Sequence, residues 1–116
     1  MHELSIVTNV LKTAKKAAIE RDALKLKKIN LRVGVYKEVI DDALQFAFRI
    51  LADDDPFTKD CKLDVCYVQP KSVCLECGEE FSHDMFHRTC PNCKKEFTEL
   101  IEGSELEISS IEIEEE

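Results

Sequence analysis

At 116 residues, 44% apolar and 34% charged, the chain suits one domain with a small appendage, and no apolar run approaches the roughly 20 residues of a membrane-spanning helix. No basic-then-apolar leader opens it, so a soluble cytoplasmic protein is expected. The formal charge of −8 disfavours nonspecific nucleic-acid binding, which needs a basic face, and Asp53-Asp54-Asp55 and the Glu-rich end read as solvated surface.

Leu4, Val7, Leu11, Ala14 and Ala18 recur at helical spacing, with Ile6, Val10 and Ala17 widening the stripe and Lys12, Lys15, Lys16 and Glu20 opposite. They predict an amphipathic helix of about four or five turns. Ile29, Leu31, Val33 and Val35 then alternate with polar residues and Gly34, predicting a strand with one buried face and either a bulge or a close backbone approach at the glycine.

A second helix is expected from about Glu38 to Ala52, stopping before Pro56. Its buried stripe is drawn through Val39, Ala43, Phe46, Ala47 and Ile50, with Ile40, Leu44 and Leu51 beside it. Leu63, Val65 and Tyr67 alternate in a second strand ending near Pro70, and core packing is expected for Cys61 and Cys66. Beyond Gly103-Ser104, Leu106 and Ile108 open a last strand. Ile111 and Ile113 are out of phase with them, which predicts either a one-residue slip near Ser109-Ser110 or burial on both sides.

The resulting fold class is α+β, a three-stranded mixed sheet covered on one face by two helices, with a small zinc-ribbon-like module inserted before the last strand. The long helical connection permits a parallel crossover and the insert an antiparallel return. Residues 1–70 plus 103–116 would form the α/β domain and residues 71–102 the metal module.

That module is the most chemically constrained stretch. Cys74-x-x-Cys77 and Cys90-x-x-Cys93 are separated by twelve residues, and four thiolates complete a tetrahedral shell with no open position. The Val-Cys-Leu-Glu-Cys-Gly context looks like a zinc ribbon, although spacing alone does not separate structural zinc from a rubredoxin-like iron site, and two disulfides are the alternative in an oxidising compartment. Zinc with four thiolates would take the net charge to about −10. His83 and His87, in the intervening loop, read as loop surface because the thiolates already fill the shell.

At the other end, His2 follows the terminal amine of Met1. An amine, a backbone amide nitrogen and an imidazole can close fused chelate rings around Ni(II) or Cu(II), with Glu3 offering its carboxylate or its amide.

Met1-His2-Glu3-Leu4-Ser5, Leu31-Arg32-Val33-Gly34, Leu44-Gln45-Phe46-Ala47-Phe48, the two cysteine pairs and Gly103-Ser104-Glu105-Leu106 together resemble the HypA/HybF family of hydrogenase nickel-incorporation proteins over nearly the whole chain. The resemblance implies a cytosolic metallochaperone without enzymatic turnover, carrying Ni(II) to the [NiFe]-hydrogenase large-subunit precursor with a HypB-type GTPase, and in some members to urease; a homodimer is a further option. It places nickel at the Met1 amine, His2 and Glu3, and structural zinc at Cys74, Cys77, Cys90 and Cys93. Lys94 stands where the family usually has glycine, Asp53-Asp54-Asp55-Pro56 replaces a Gly-Thr-like turn, and Cys61 and Cys66 are additions.

The competing reading is a zinc-ribbon nucleic-acid or transcription-associated module, for which Lys71, Arg88, Lys94 and Lys95 supply charge that Glu76, Glu79, Glu80 and Glu96 cancel. A zinc hydrolase would need an open coordination position for water, which four cysteines deny.

Overall fold

The computed structural model describes residues 3–116. The element order is α1 (Glu3–Glu20), β1 (Lys25–Gly34), a 3-10 turn (Val35–Lys37), α2 (Asp41–Asp53), β2 (Lys62–Val68), β3 (Lys71–Cys74), β4 (Glu80–Ser82), β5 (Thr98–Glu102) and β6 (Leu106–Glu114). No helix among the described residues is long and apolar enough to cross a membrane.

The chain divides into two compact units, one of residues 1–31, 39–66 and 107–116, the other of residues 32–38 and 67–106.

In the first unit α1 buries Ile6, Val7, Val10, Ala14 and Ala18 and packs on α2. Leu4, placed on the buried stripe by periodicity, is instead 60% exposed. The sheet order is β2-β1-β6. Side chains of β1 meet those beside β2 in ascending order, Lys25 with Asp60 at 3.2 Å and Lys28 with Asp64 at 3.5 Å, as a parallel pair requires. Toward β6 the order descends, from the Leu24 N–H bond to the Glu114 carbonyl to the Asn30 amide bond to the Ser110 hydroxyl. The mixed sheet expected from the helical crossover is therefore present.

Two details of this unit differ from the periodicity reading. α2 starts at Asp41 because Glu38, at φ 53, turns left-handed and ends the preceding 3-10 turn. Its buried face comprises Leu44, Ala47, Phe48 and Ala52, while Phe46 and Ile50 are 70% and 54% exposed. Apolar residues occupy so much of this helix that period alone does not locate the centre of its buried stripe.

The stretch after α2 is also more structural than a solvated acidic run. Lys15 pairs with Asp55, whose carboxylate also accepts the Phe57 N–H at 2.9 Å. The Lys15 hydrogen bond and then the Phe57 N–H hold Asp55 below the usual carboxylate range. Arg49 bridges Asp53 to the carbonyls of Lys59 and Cys61. Cys61 is fully buried, and desolvation pushes its thiol up to about 11, so it packs as a neutral small hydrophobe. Cys66 is exposed, contrary to the core role expected for it, because it points from the other face of β2.

β6 is unbroken, and its half-buried residues are Ile108, Ile111 and Ile113, so the change of phase across Ser109-Ser110 appears directly in burial.

Candidate metal centre

The second unit contains a sheet that the sequence did not suggest, in the order β4-β3-β5. Both neighbours of β3 run antiparallel to it, with Ser72 facing Phe81 on one side and Leu100 on the other. The central strand ends on Cys74, so the sheet carries the first ligand directly. Cys74, Phe81 and Cys90 are the buried residues of a small core, with Cys93 packed against them.

The four sulfur atoms lie within 4.8 Å of one another. Cys74 Sγ is 3.5 Å from Cys93 Sγ, and Cys77 Sγ is 3.6 Å from Cys90 Sγ. A disulfide would require about 2.05 Å, whereas sulfurs about 2.3 Å from a central zinc in a tetrahedron stand roughly 3.8 Å apart. None of the six cysteines is paired in a disulfide, and the donor set fits a four-coordinate thiophilic cation.

The site is built from one turn used twice. In the first half Gly78 N–H donates to the Cys74 carbonyl at 2.8 Å and Cys74 N–H to the Glu79 carbonyl at 2.9 Å. In the second half Lys94 N–H donates to the Cys90 carbonyl and Cys90 N–H to the Lys95 carbonyl, both at 2.9 Å. The residue after each second cysteine is left-handed, Gly78 at φ 79 and Lys94 at φ 65. Two residues further on from that cysteine, the backbone N–H of Glu79 reaches Cys77 and that of Lys95 reaches Cys93.

Thiol electrostatics follow from this arrangement. The Glu79 N–H, then the Asn92 side-chain amide, pull the Cys77 thiol down to about 7. The Lys95 N–H acts in the same sense on Cys93, but burial and the three neighbouring cysteines outweigh it and push that thiol up to about 12. Among these neighbours the Cys93 thiol holds on to its proton, and a divalent ion bound there would reverse that preference by deprotonating its ligands.

The glycine expected after the fourth cysteine now has a physical reason, since a left-handed residue carrying a Cβ costs roughly 1–2 kcal/mol. The Lys94 ammonium donates to the Pro91 carbonyl at 3.1 Å and offsets part of that cost. Lys94→Gly is expected to stabilise the metal-loaded protein by roughly 0.5–1 kcal/mol, after allowing for glycine's greater unfolded-state freedom. Thermal denaturation of the two proteins checks this, and a lower midpoint for the variant would show that the lysine bond outweighs the strain.

His83 is not simple loop surface. Its ring packs against Phe81 with centroids 5.5 Å apart, its Nε2 is 2.7 Å from the fully buried Ser72 hydroxyl, and its Nδ1 is 2.5 Å from the Asp84 carbonyl. A carbonyl only accepts, so Nδ1 donates there, while Nε2 and the Ser72 hydroxyl share a second hydrogen bond. Both nitrogens are engaged by groups other than the sulfurs. His87 is an exposed partner of the Asp84 carboxylate at 2.8 Å.

Of the residues proposed for nickel, Met1 and His2 lie outside the described residues. Glu3 opens α1, and its carboxylate accepts the Ile40 N–H at 3.3 Å, just before α2. The donors Glu79, Lys95 and Asn92 were missed by sequence reasoning, although the first two stand at the same offset from their cysteine pairs.

Comparison with known proteins gives a consistent picture. A family model described as hydrogenase/urease nickel incorporation, metallochaperone, hypA matches residues 1–113. A hydrogenase maturation factor HypA of Dehalococcoides mccartyi is 36% identical over 100% of this chain and 97% of its own length. Another from Desulfatibacillum aliphaticivorans is 36% identical over 97% of this chain and 87% of its own. The fold is similar to the solution structure of the Ni metallochaperone HypA from Helicobacter pylori, with a TM-score of 0.71, 21% identity and full coverage of both chains.

Proposed function

Because the chain belongs to the HypA family of hydrogenase/urease nickel-incorporation metallochaperones, we propose that it binds Ni(II) at its amino terminus and delivers it to the [NiFe]-hydrogenase large-subunit precursor in the cytoplasm. The observation that carries this reading is the division of donors. Four clustered cysteines can close a tetrahedral shell around resident zinc, which leaves a transported ion to be held elsewhere.

Met1 supplies its amine and His2 its amide nitrogen and imidazole, a nitrogen-rich set that suits Ni(II). The Glu3 carboxylate already accepts a hydrogen bond from the Ile40 N–H, which favours the Glu3 amide over its side chain as a further donor. Zinc at Cys74, Cys77, Cys90 and Cys93 organises the second unit, and a HypB-type GTPase is the partner in delivery. Residues 1–70 with 103–116 then serve nickel, and residues 71–102 serve zinc.

Nickel titration of the tag-free, zinc-loaded protein tests this reading against the same protein with one residue added before Met1. One nickel per chain is expected for the first and loss of that site for the second, because the extension replaces the amine with an amide and removes the chelate ring. His2→Ala should behave like the extension. Undiminished nickel binding in both variants would place the cargo site elsewhere.

A further inference from the structure

Outside the metal centre, the exposed edge of the first unit's sheet carries a recognition pattern. β6 pairs with β1 on one side, and among the described residues no strand pairs with it on the other. An edge strand presents every second backbone N–H and C=O outward, a ready template for another strand. Beside this edge lies a groove of about 540 Å³ lined by Ala17 and Arg21 of α1 and by Ser110, Ile111, Ile113 and Glu115.

Because side chains alternate along a strand, Ile111 and Ile113 project to one face of β6, into the groove lining, while Glu112 and Glu114 project to the other. A strand added at this edge would meet apolar side chains on one face and carboxylates on the other. The most favourable cross-strand neighbours are apolar residues opposite the isoleucines and lysine or arginine opposite the glutamates.

A second copy of β6 is disfavoured on the same grounds, since antiparallel self-pairing would bring the two glutamate rows together. Nucleic acid is disfavoured by the carboxylates of Glu105, Glu107, Glu112, Glu114, Glu115 and Glu116 within the last twelve residues.

The geometry points to β6 as a docking edge for an extended segment of a partner protein in which apolar and basic residues alternate, added to the sheet as a further strand. The docking mode is β-augmentation, in which backbone hydrogen bonds supply affinity and the alternating side chains supply specificity. It is independent of where nickel binds.

The test uses the zinc-loaded, full-length protein and labelled peptides of alternating lysine and valine, lysine and serine, and glutamate and valine. Fluorescence anisotropy is expected to show binding of the lysine–valine peptide, with amide NMR shifts concentrated on residues 109–115. The lysine–serine peptide and the variants Ile111→Lys and Glu112→Lys should bind or be bound at least about tenfold more weakly. Arg21→Glu, an exposed change on the groove wall, should tighten binding of the lysine–valine peptide, and it keeps the test open if Ile111→Lys fails to fold. Equal binding of the lysine–serine peptide, unchanged affinity in Glu112→Lys and Arg21→Glu, preference for the glutamate–valine peptide, or shifts mapping away from β6 would each overturn the assignment.

Discussion

Stripping the four-cysteine centre with a strong chelator is expected to melt the second unit while α1 and α2 keep their helicity. Buried packing at the metal end of that unit consists of Cys74, Phe81 and Cys90 with Cys93 against them, so three of its four members are ligands. Without a cation, Phe81 is the one apolar ring left to organise strands of four, three and five residues. Binding of structural zinc contributes roughly 10–16 kcal/mol, far more than such a small apolar cluster can supply. The helices stand in the other unit, on a core of Ile6, Val7, Val10, Leu44 and Phe48 that contains no ligand.

Far-ultraviolet circular dichroism should therefore retain its helical signal, while amide NMR dispersion for residues 71–102 collapses and returns when zinc is restored. Cys90→Ser should reproduce the collapse and weaken zinc binding by more than the roughly 10–100-fold typical of losing an outer hydrogen-bonding partner. A chelated protein with an unchanged spectrum for residues 71–102 would show that the strands stand without metal.

The second large effect lies at a glycine whose backbone is ordinary. Gly34 has φ −71 and ψ 144, values open to any residue. Its constraint is space. A Cβ placed there would lie 2.1 Å from both the carbonyl carbon and oxygen of Gly103 and 2.4 Å from the Ser104 nitrogen. All three are backbone atoms and cannot rotate away. The contact is secured by the Tyr36 N–H bond to the Gly103 carbonyl at 2.8 Å and the Gly34 N–H bond to the Glu105 carbonyl at 2.7 Å. Gly103 is itself left-handed at φ 121, and a Cβ there would meet Pro70 at 3.0 Å.

Gly34→Ala must push these two segments apart. The expected cost is about 3 kcal/mol or more, at the upper end of overpacking because backbone has to move. That corresponds to a fall of roughly 10–20 °C in the midpoint of thermal unfolding. A change of only a degree or two would mean that the segments separate freely.

The legible parts of this molecule were those with a long repeat. α1 spans enough turns for the spacing of Val7, Val10, Ala14 and Ala18 to declare both its type and its buried face. Gly34 was legible as a choice between bulge and close approach, and the structure shows the approach. The gathering of Cys74, Cys77, Cys90 and Cys93 was legible from their spacing, which is a local property of the chain.

What escaped lacked either length or contrast. β4 has three residues and one buried side chain, too short to display alternation. α2 carries apolar residues around most of its circumference, so Phe46 and Ile50 looked as suited to the core as Leu44 and Phe48. The engagement of His83 depends on a serine eleven positions earlier whose burial is set by strand pairing, and nothing local to the histidine announces it.

The twofold repetition of the cysteine turn bears on how fast a bound ion can be exchanged. Each turn places its first sulfur inside, with Cys74 1% and Cys90 0% exposed, and its second further out, with Cys77 exposed and Cys93 intermediate. Each is closed by its own backbone hydrogen bonds, so each half of the site offers an ion a two-toothed claw. An ion can then be released in stages, one claw at a time, and a competing thiol has its most open line of attack at Cys77. For an ion held there, exchange would begin at that outer sulfur, the most exposed of the four.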